Sequence, residues 1–203
     1  MIRVVRVCVH LPRLVVLLAV GTVPPYLELL NRRKPTRVYL LHMGLYIALL
    51  VLGWSLTQGE MADGGWVAAP LLLAIFVRSG SVPTHCWLTD LFEHCSFGTA
   101  LLVAVPITGV YATIRLVLPI ASDWVLHSLG LVSLATAVYS AGMALVQHDA
   151  RRFFAYLFLS HASLVLVGLE RVTDLSLTGS LALWISVVLS LSGLGLTLRA
   201  LEA

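Results

Sequence analysis

The sequence predicts an all-α, polytopic bundle of about seven membrane spans in a single integral domain over residues 1–203, with one helix broken near Arg78–Pro83. Three observations predict it. The chain is 59% hydrophobic and only 11% charged, whereas a soluble domain carries about 25% charged residues; lipid must cover what charge cannot. Apolar runs near the roughly 20 residues that cross a bilayer recur along the whole length. And one apolar run meets Arg78 and stops at once in Ser79-Gly80-Ser81-Val82-Pro83, a sequence that breaks helices.

The spans follow in order. The first runs from Arg13 to Leu30, with Gly21 and Pro24-Pro25 set to kink it. A basic loop, Asn31 to Arg37, leads to the second, Val38 to Leu56. After an acidic, Gly-containing loop from Gln58 to Gly65 comes a short third run, Trp66 to Arg78. Its brevity puts the following break at membrane depth. A short amphipathic segment around Trp87 and Leu91 reads as an interfacial helix. The fourth span runs from Thr99 to Ile120 and contains Pro106; the fifth is Trp124 to Val146, the sixth Arg152 to Leu169 and the seventh Leu175 to Leu198.

Alternating these spans gathers Arg32, Arg33, Lys34, Arg37, Arg151, Arg152 and Arg199 on one side, and Glu60, Asp63, Asp123, Glu170 and Asp174 on the other. The positive-inside rule makes the first side cytoplasmic or matrix-like, against the pull of Arg3 and Arg6. A net charge of +3 concentrated in a membrane flank excludes nucleic acid as the partner and leaves the bilayer. Three cysteines, Cys8, Cys86 and Cys95, are odd in number and set no disulfide framework. Arg13 interrupts the N-terminal apolar run, and Pro24-Pro25 is unlike a cleavage site, so no signal peptide is read.

Few groups can carry chemistry. Arg78 is either an arginine snorkelling to the headgroups or a fixed positive charge in a hydrated channel; a guanidinium holds its proton too firmly to relay it. His85-Cys86 and His94-Cys95 flank Asp90 and Glu93, and on a helix Cys86, Asp90, Glu93 and His94 share a face. Compact zinc spacing is lacking, so no metal and no cofactor is assigned. In Gln147 to His161 a charged loop enters a helix that holds Ser160 and His161 two turns or more inside. His161 is either hydrogen-bonded in place or the best proton-exchanging group of the chain. Asp149 is placed to cap that helix and to pair with Arg152. His42 and His127 read as structural, and Arg115 as an interfacial arginine that snorkels.

At these stretches the chain resembles the proton-conducting, antiporter-like membrane subunits of NADH–quinone oxidoreductase (complex I), multisubunit cation/proton antiporters, membrane-bound hydrogenases and an inorganic-carbon uptake system. Arg78-Ser79, Pro83, His85, Trp87-Leu88, Asp90 and Glu93 stand in one family motif, and Gly109, Tyr111 and Arg115 close the helix after it. Gln147, Asp149, Arg151-Arg152, Ala155-Tyr156 and Ser160-His161 meet a second. Val23-Pro24-Pro25-Tyr26 resembles the end of the helix that carries the family's glutamate. There are departures. Ala19 stands at the glutamate position, Arg78 replaces the channel lysine, and Val103 or Ile107 takes the place of the next helix's lysine or histidine. His94-Cys95 replaces Ala-Pro.

The resemblance implies a membrane subunit of a proton-translocating complex, set in a bacterial or organellar inner membrane beside other membrane subunits. Arg78, Ser160, His161, Asp149, Arg151 and Arg152 are its pathway candidates; Pro83, His85, Trp87, Asp90, Glu93 and Tyr111 are its structural motif. The chain would supply part of the proton channel or its scaffold. Inorganic-carbon uptake, a purely structural paralogue and an unrelated small transporter are the alternatives. Compared with the family module of about fourteen helices, the chain reads as a fragment, a split-gene product or a shortened paralogue.

Overall fold

The computed structural model describes residues 12–58, 66–104 and 108–202. Arg3, Arg6, Cys8, Glu60, Asp63, Pro106 and Ile107 lie outside them. The described residues form helices and no strand, and six helices are long and apolar enough to cross a membrane. They are α1 (Pro12–Asn31), α2 (Arg37–Gln58), α5 (Phe97–Val117), α6 (Asp123–Leu145), α7 (Ala150–Gly168) and α8 (Asp174–Leu201). Two shorter helices, α3 (Ala68–Ser79) and α4 (Cys86–His94), sit between α2 and α5.

The expected kink in α1 is a full interruption. The helix halts at Gly21-Thr22 and restarts at Val23, with Pro24 and Pro25 in its first turn, where a missing N–H costs nothing. The Thr22 carbonyl at the break accepts a hydrogen bond from the Tyr39 hydroxyl of α2 at 2.8 Å.

The second interruption is the one the sequence announces. Gly80 ends α3 in the left-handed region, at φ 70°, and the Ser81 N–H returns to the Phe76 carbonyl at 2.9 Å. The Val82–Pro83 peptide is cis. Other freed groups are met by side chains: the Trp87 indole donates to the Val77 carbonyl at 2.8 Å, and the Thr84 hydroxyl lies 3.3 Å from the Phe76 carbonyl. Internal partners of this kind are what lets a helix break lie in a membrane.

One expectation is corrected here. The segment around Trp87 is no interfacial helix laid on lipid. Trp87, Leu88, Leu91 and Phe92 of α4 are all buried in protein. Phe92, Phe97 and Phe154 pack on one another at ring-centroid distances of 5.3–5.8 Å, and Trp87 meets the Tyr39 ring edge-on at 6.1 Å. Thus α3 and α4 act as two halves of one broken span, threaded between α2 and α7.

Tertiary contacts fix the two ends of the bundle. At one end Glu28, Arg32, Glu93, Cys95, Ser96, Arg151, Arg152 and Arg199 meet through α1, α4, α5, α7 and α8. At the other, Trp66 stacks on Trp124 at 4.7 Å, and His127 pairs with Glu170 at 2.8 Å. This matches the alternation of basic and acidic loops read from the sequence.

Candidate functional site

Arg78 sits in the last turn of α3 and is 8% exposed, so it does not snorkel to a headgroup. Its guanidinium donates to the Val103 carbonyl at 3.3 Å and lies 5.4 Å from the centroid of the Trp87 ring. Among the described residues no carboxylate pairs with it. That agrees with Ala19 standing where the resemblance expected an acid; the Ala19 carbonyl is taken up by the Thr22 hydroxyl at 2.7 Å.

Beside Arg78 lies a cavity of about 20 Å³, lined by Ser79, Trp87, Thr108, Gly109, Phe158 and Ala162 among others. That volume is close to the least that takes a water molecule. The Ser79 and Thr108 hydroxyls are buried there without a protein partner. Gly109 makes the approach possible: a β-carbon on it would stand 2.0 Å from the Ser79 Oγ. The arrangement is a fixed cation and two uncommitted hydroxyls at a helix break, a place where water can be held.

The remaining predicted residues lie elsewhere. The α7 wall of the cavity is Phe158 and Ala162 rather than Ser160 or His161. The Ser160 hydroxyl donates to the Ala137 carbonyl of α6 at 3.0 Å. His161 is half-buried, and its Nδ1 bonds the Leu157 carbonyl of its own helix at 2.9 Å. Arg78 and His161 are therefore not brought into one chamber.

Asp149 caps α7 as expected, accepting from the backbone N–H groups of Arg151 and Arg152 at 2.8 and 2.9 Å. The expected side-chain pairing with Arg152 is not what forms. The Arg152 guanidinium instead grips Glu93 of α4 with two hydrogen bonds, at 2.6 and 3.0 Å. Arg151 reaches the Cys95 carbonyl at 3.3 Å and lies 5.9 Å from the Phe97 ring centroid.

Asp90, Glu93 and His94 converge within 4.8 Å, without Cys86. The Arg152 guanidinium already occupies Glu93, and the His94 Nδ1 bonds the Asp90 carbonyl at 2.9 Å, so ion pairing and local hydrogen bonds account for the group. Arg115 is exposed, 6.0 Å from the centroid of the half-exposed Tyr111 ring.

Two acids have partners that sequence reasoning missed. Glu28 accepts the Ser96 N–H at 2.7 Å and the Arg32 guanidinium at 2.9 Å, tying α1 to the start of α5. Glu170 reaches across α6 to His127. Each looked like an ordinary loop-flanking acid in one dimension.

The transmembrane family NADH:quinone oxidoreductase/Mrp antiporter matches residues 40–201. The chain belongs to this family. Similar members include chain 4 of the chloroplast NAD(P)H-quinone oxidoreductase of Marchantia polymorpha, 32% identical over 120 residues, which are 57% of this chain and 24% of that protein. Subunit M of the F(420)H(2) dehydrogenase of Methanosarcina mazei is 29% identical over 128 residues, 61% of this chain and 26% of that protein. The matched stretch thus spans about a quarter of the length of these relatives. Membership makes the chain an antiporter-type membrane subunit, integral to an energy-coupling membrane, and six of its helices are long and apolar enough to cross one.

Proposed function

We propose that the chain is a subunit of a proton-translocating complex related to NADH–quinone oxidoreductase, and that the Arg78 site contributes to its proton channel. Residues 1–203 would form one membrane domain equivalent to the first-half helices of an antiporter-like module. Other membrane subunits of a multisubunit complex would be its partners, as family membership supports.

One observation carries this reading: a buried guanidinium, without a carboxylate partner among the described residues, beside a cavity walled by the free hydroxyls of Ser79 and Thr108. A charge kept in a bundle only for structure is normally paired, because an unpaired one is costly at membrane depth. Arg78 keeps its proton, so its part is to set the field; protons pass along water and hydroxyls. Ser160, His161 and the basic-end groups Asp149, Arg151 and Arg152 are proposed as the approach to it. His161, with Nδ1 tied to Leu157, keeps Nε2 for exchange.

The test begins with gentle detergent purification and mass spectrometry of what accompanies the chain. Oxidoreductase-type subunits support the reading. A large zinc protein points instead to carbon uptake, and a chain that comes out alone and folded removes the complex. In the purified complex Arg78→Ala is expected to abolish proton movement with assembly intact, and Arg78→Lys to retain it. If Arg78→Ala assembles and pumps normally, the site does not conduct. Loss of assembly in Arg78→Ala, together with an Arg78→Gln complex that assembles and pumps normally, supports a scaffold.

A further inference from the structure

The face of α6 that meets the break loop carries three hydroxyls, Ser133, Thr136 and Ser140, spaced to share one side of a helix. All three have 0% exposure. Thr136 is accounted for: its hydroxyl donates to the Val132 carbonyl at 2.7 Å and accepts the Val82 N–H at 3.1 Å. The hydroxyls of Ser133 and Ser140 have no protein partner among the described residues. Neither has the hydroxyl of Ser81, 1% exposed in the break loop, nor Nδ1 of His85.

On α6, Ser133 and Ser140 lie one turn to either side of Thr136 along one strip, and in the loop Ser81 precedes Val82, the partner of Thr136. The loop runs beside α6, with Val82 against Thr136 and the His85 ring 5.4 Å from that of Tyr139, one turn further on. Hydroxyls satisfied within their own helix need nothing more. Unsatisfied ones inside a membrane bundle have water as their remaining source of hydrogen bonds. We infer that the strip between α6 and the break loop is a second hydrated seam, taking ordered water at Ser81, Ser133 and Ser140, and that His85 is the side chain exchanging protons with it.

The other groups facing His85 fit that role. The Tyr139 ring meets it from α6 and the Tyr156 ring, at 6.0 Å, from α7. The Pro83 carbonyl is placed to accept a hydrogen bond from the ring, His42 of α2 acts on it electrostatically, and Cys86 follows it in the chain. Among these neighbours there is no carboxylate to lock the imidazole in its charged form. What the seam serves rests on the conducting reading above, whereas its hydration is measured on the chain itself.

The experiment is water-edited solid-state NMR of the full chain in lipid bilayers, labelled with ¹⁵N at histidine and compared with His85→Gln to assign the ring. Expected are magnetisation transfer from water to the His85 ring and a change of its signals between about pH 5 and 8. The Ser133→Ala/Ser140→Ala double variant, which leaves His85 in place, should lose that transfer without melting higher. No transfer in the parent chain, with a higher melting temperature in the double variant, would mean a dry seam and overturn the inference. A wet seam in a complex whose His85→Gln form pumps normally would overturn the relay alone and leave the Arg78 reading standing.

Discussion

A single missing methyl group decides two contacts in this bundle, and the outcomes differ. At Gly109 the obstacle to a β-carbon is Ser79, whose short side chain is fixed to the end of α3. Gly109→Ala should therefore push α5 from the break and cost about 1–3 kcal/mol, read as a lower unfolding temperature in detergent. An unchanged transition would show that the two helices slide apart freely. At Gly130 the obstacle is the Glu170 carboxylate, the far end of a flexible chain, so Gly130→Ala should leave stability nearly unchanged and release His127 instead. The cysteines give a second residue-scale outcome. Cys95 has 0% exposure, and burial, with Glu28 nearby, pushes its thiol up to about 11. At pH 7.5 on the order of one Cys95 in 3,000 is then thiolate. Maleimide should spare Cys95 in the folded chain and modify it after denaturation, and equal labelling of Cys95 in the two states would contradict that burial. Legibility at this scale follows contrast: Arg78 stands out in an apolar run, whereas Ser133 and Ser140 leave the hydrophobic pattern of α6 intact. Glu28 beside a basic loop looks like any helix flank, because its partner Ser96 is 68 residues away.

Among the elements, the broken span α3–α4 was the most readable and its second half the least. Ser79 to Pro83 names a break by composition, and the chain breaks there. The period of α4 cannot say what covers its apolar face, since a lipid surface and the aromatic wall of Phe97 and Phe154 select the same residues. Two variants measure what holds α4 in place. The Glu93–Arg152 pair is half exposed, with side-chain exposures of 36% and 48%, and solvent screening leaves such a pair about 0–1 kcal/mol. Phe154 is fully buried against Phe92 and Phe97, and truncating such a side chain costs about 3–5 kcal/mol in soluble cores. Phe154→Ala should thus lower the unfolding temperature far more than Glu93→Gln. The reverse order would make the ion pair, rather than packing, the anchor of α4.

For the molecule as a whole, sidedness is the property on which a pathway through the membrane depends. Counting apolar runs and basic loops was enough to assign it, because each span reverses direction and the loops are short. The fold agrees at both ends: Arg32, Arg151, Arg152 and Arg199 gather at one, and His127 and Glu170 at the other. What counting could not supply is how the spans pack, since lipid-facing and protein-facing leucines look alike in sequence. The sidedness itself is open to measurement. In a chain stripped of its own cysteines, Lys34→Cys and His148→Cys should react with an impermeant thiol reagent from one face of the membrane, and Asp174→Cys from the other. The positive-inside rule assigns the first face to the cytoplasm or matrix. If Lys34→Cys and Asp174→Cys react from the same face, α2 to α7 cannot all cross as described. The Arg78 cavity and the α6 seam would then open toward one compartment, and neither could carry a proton across.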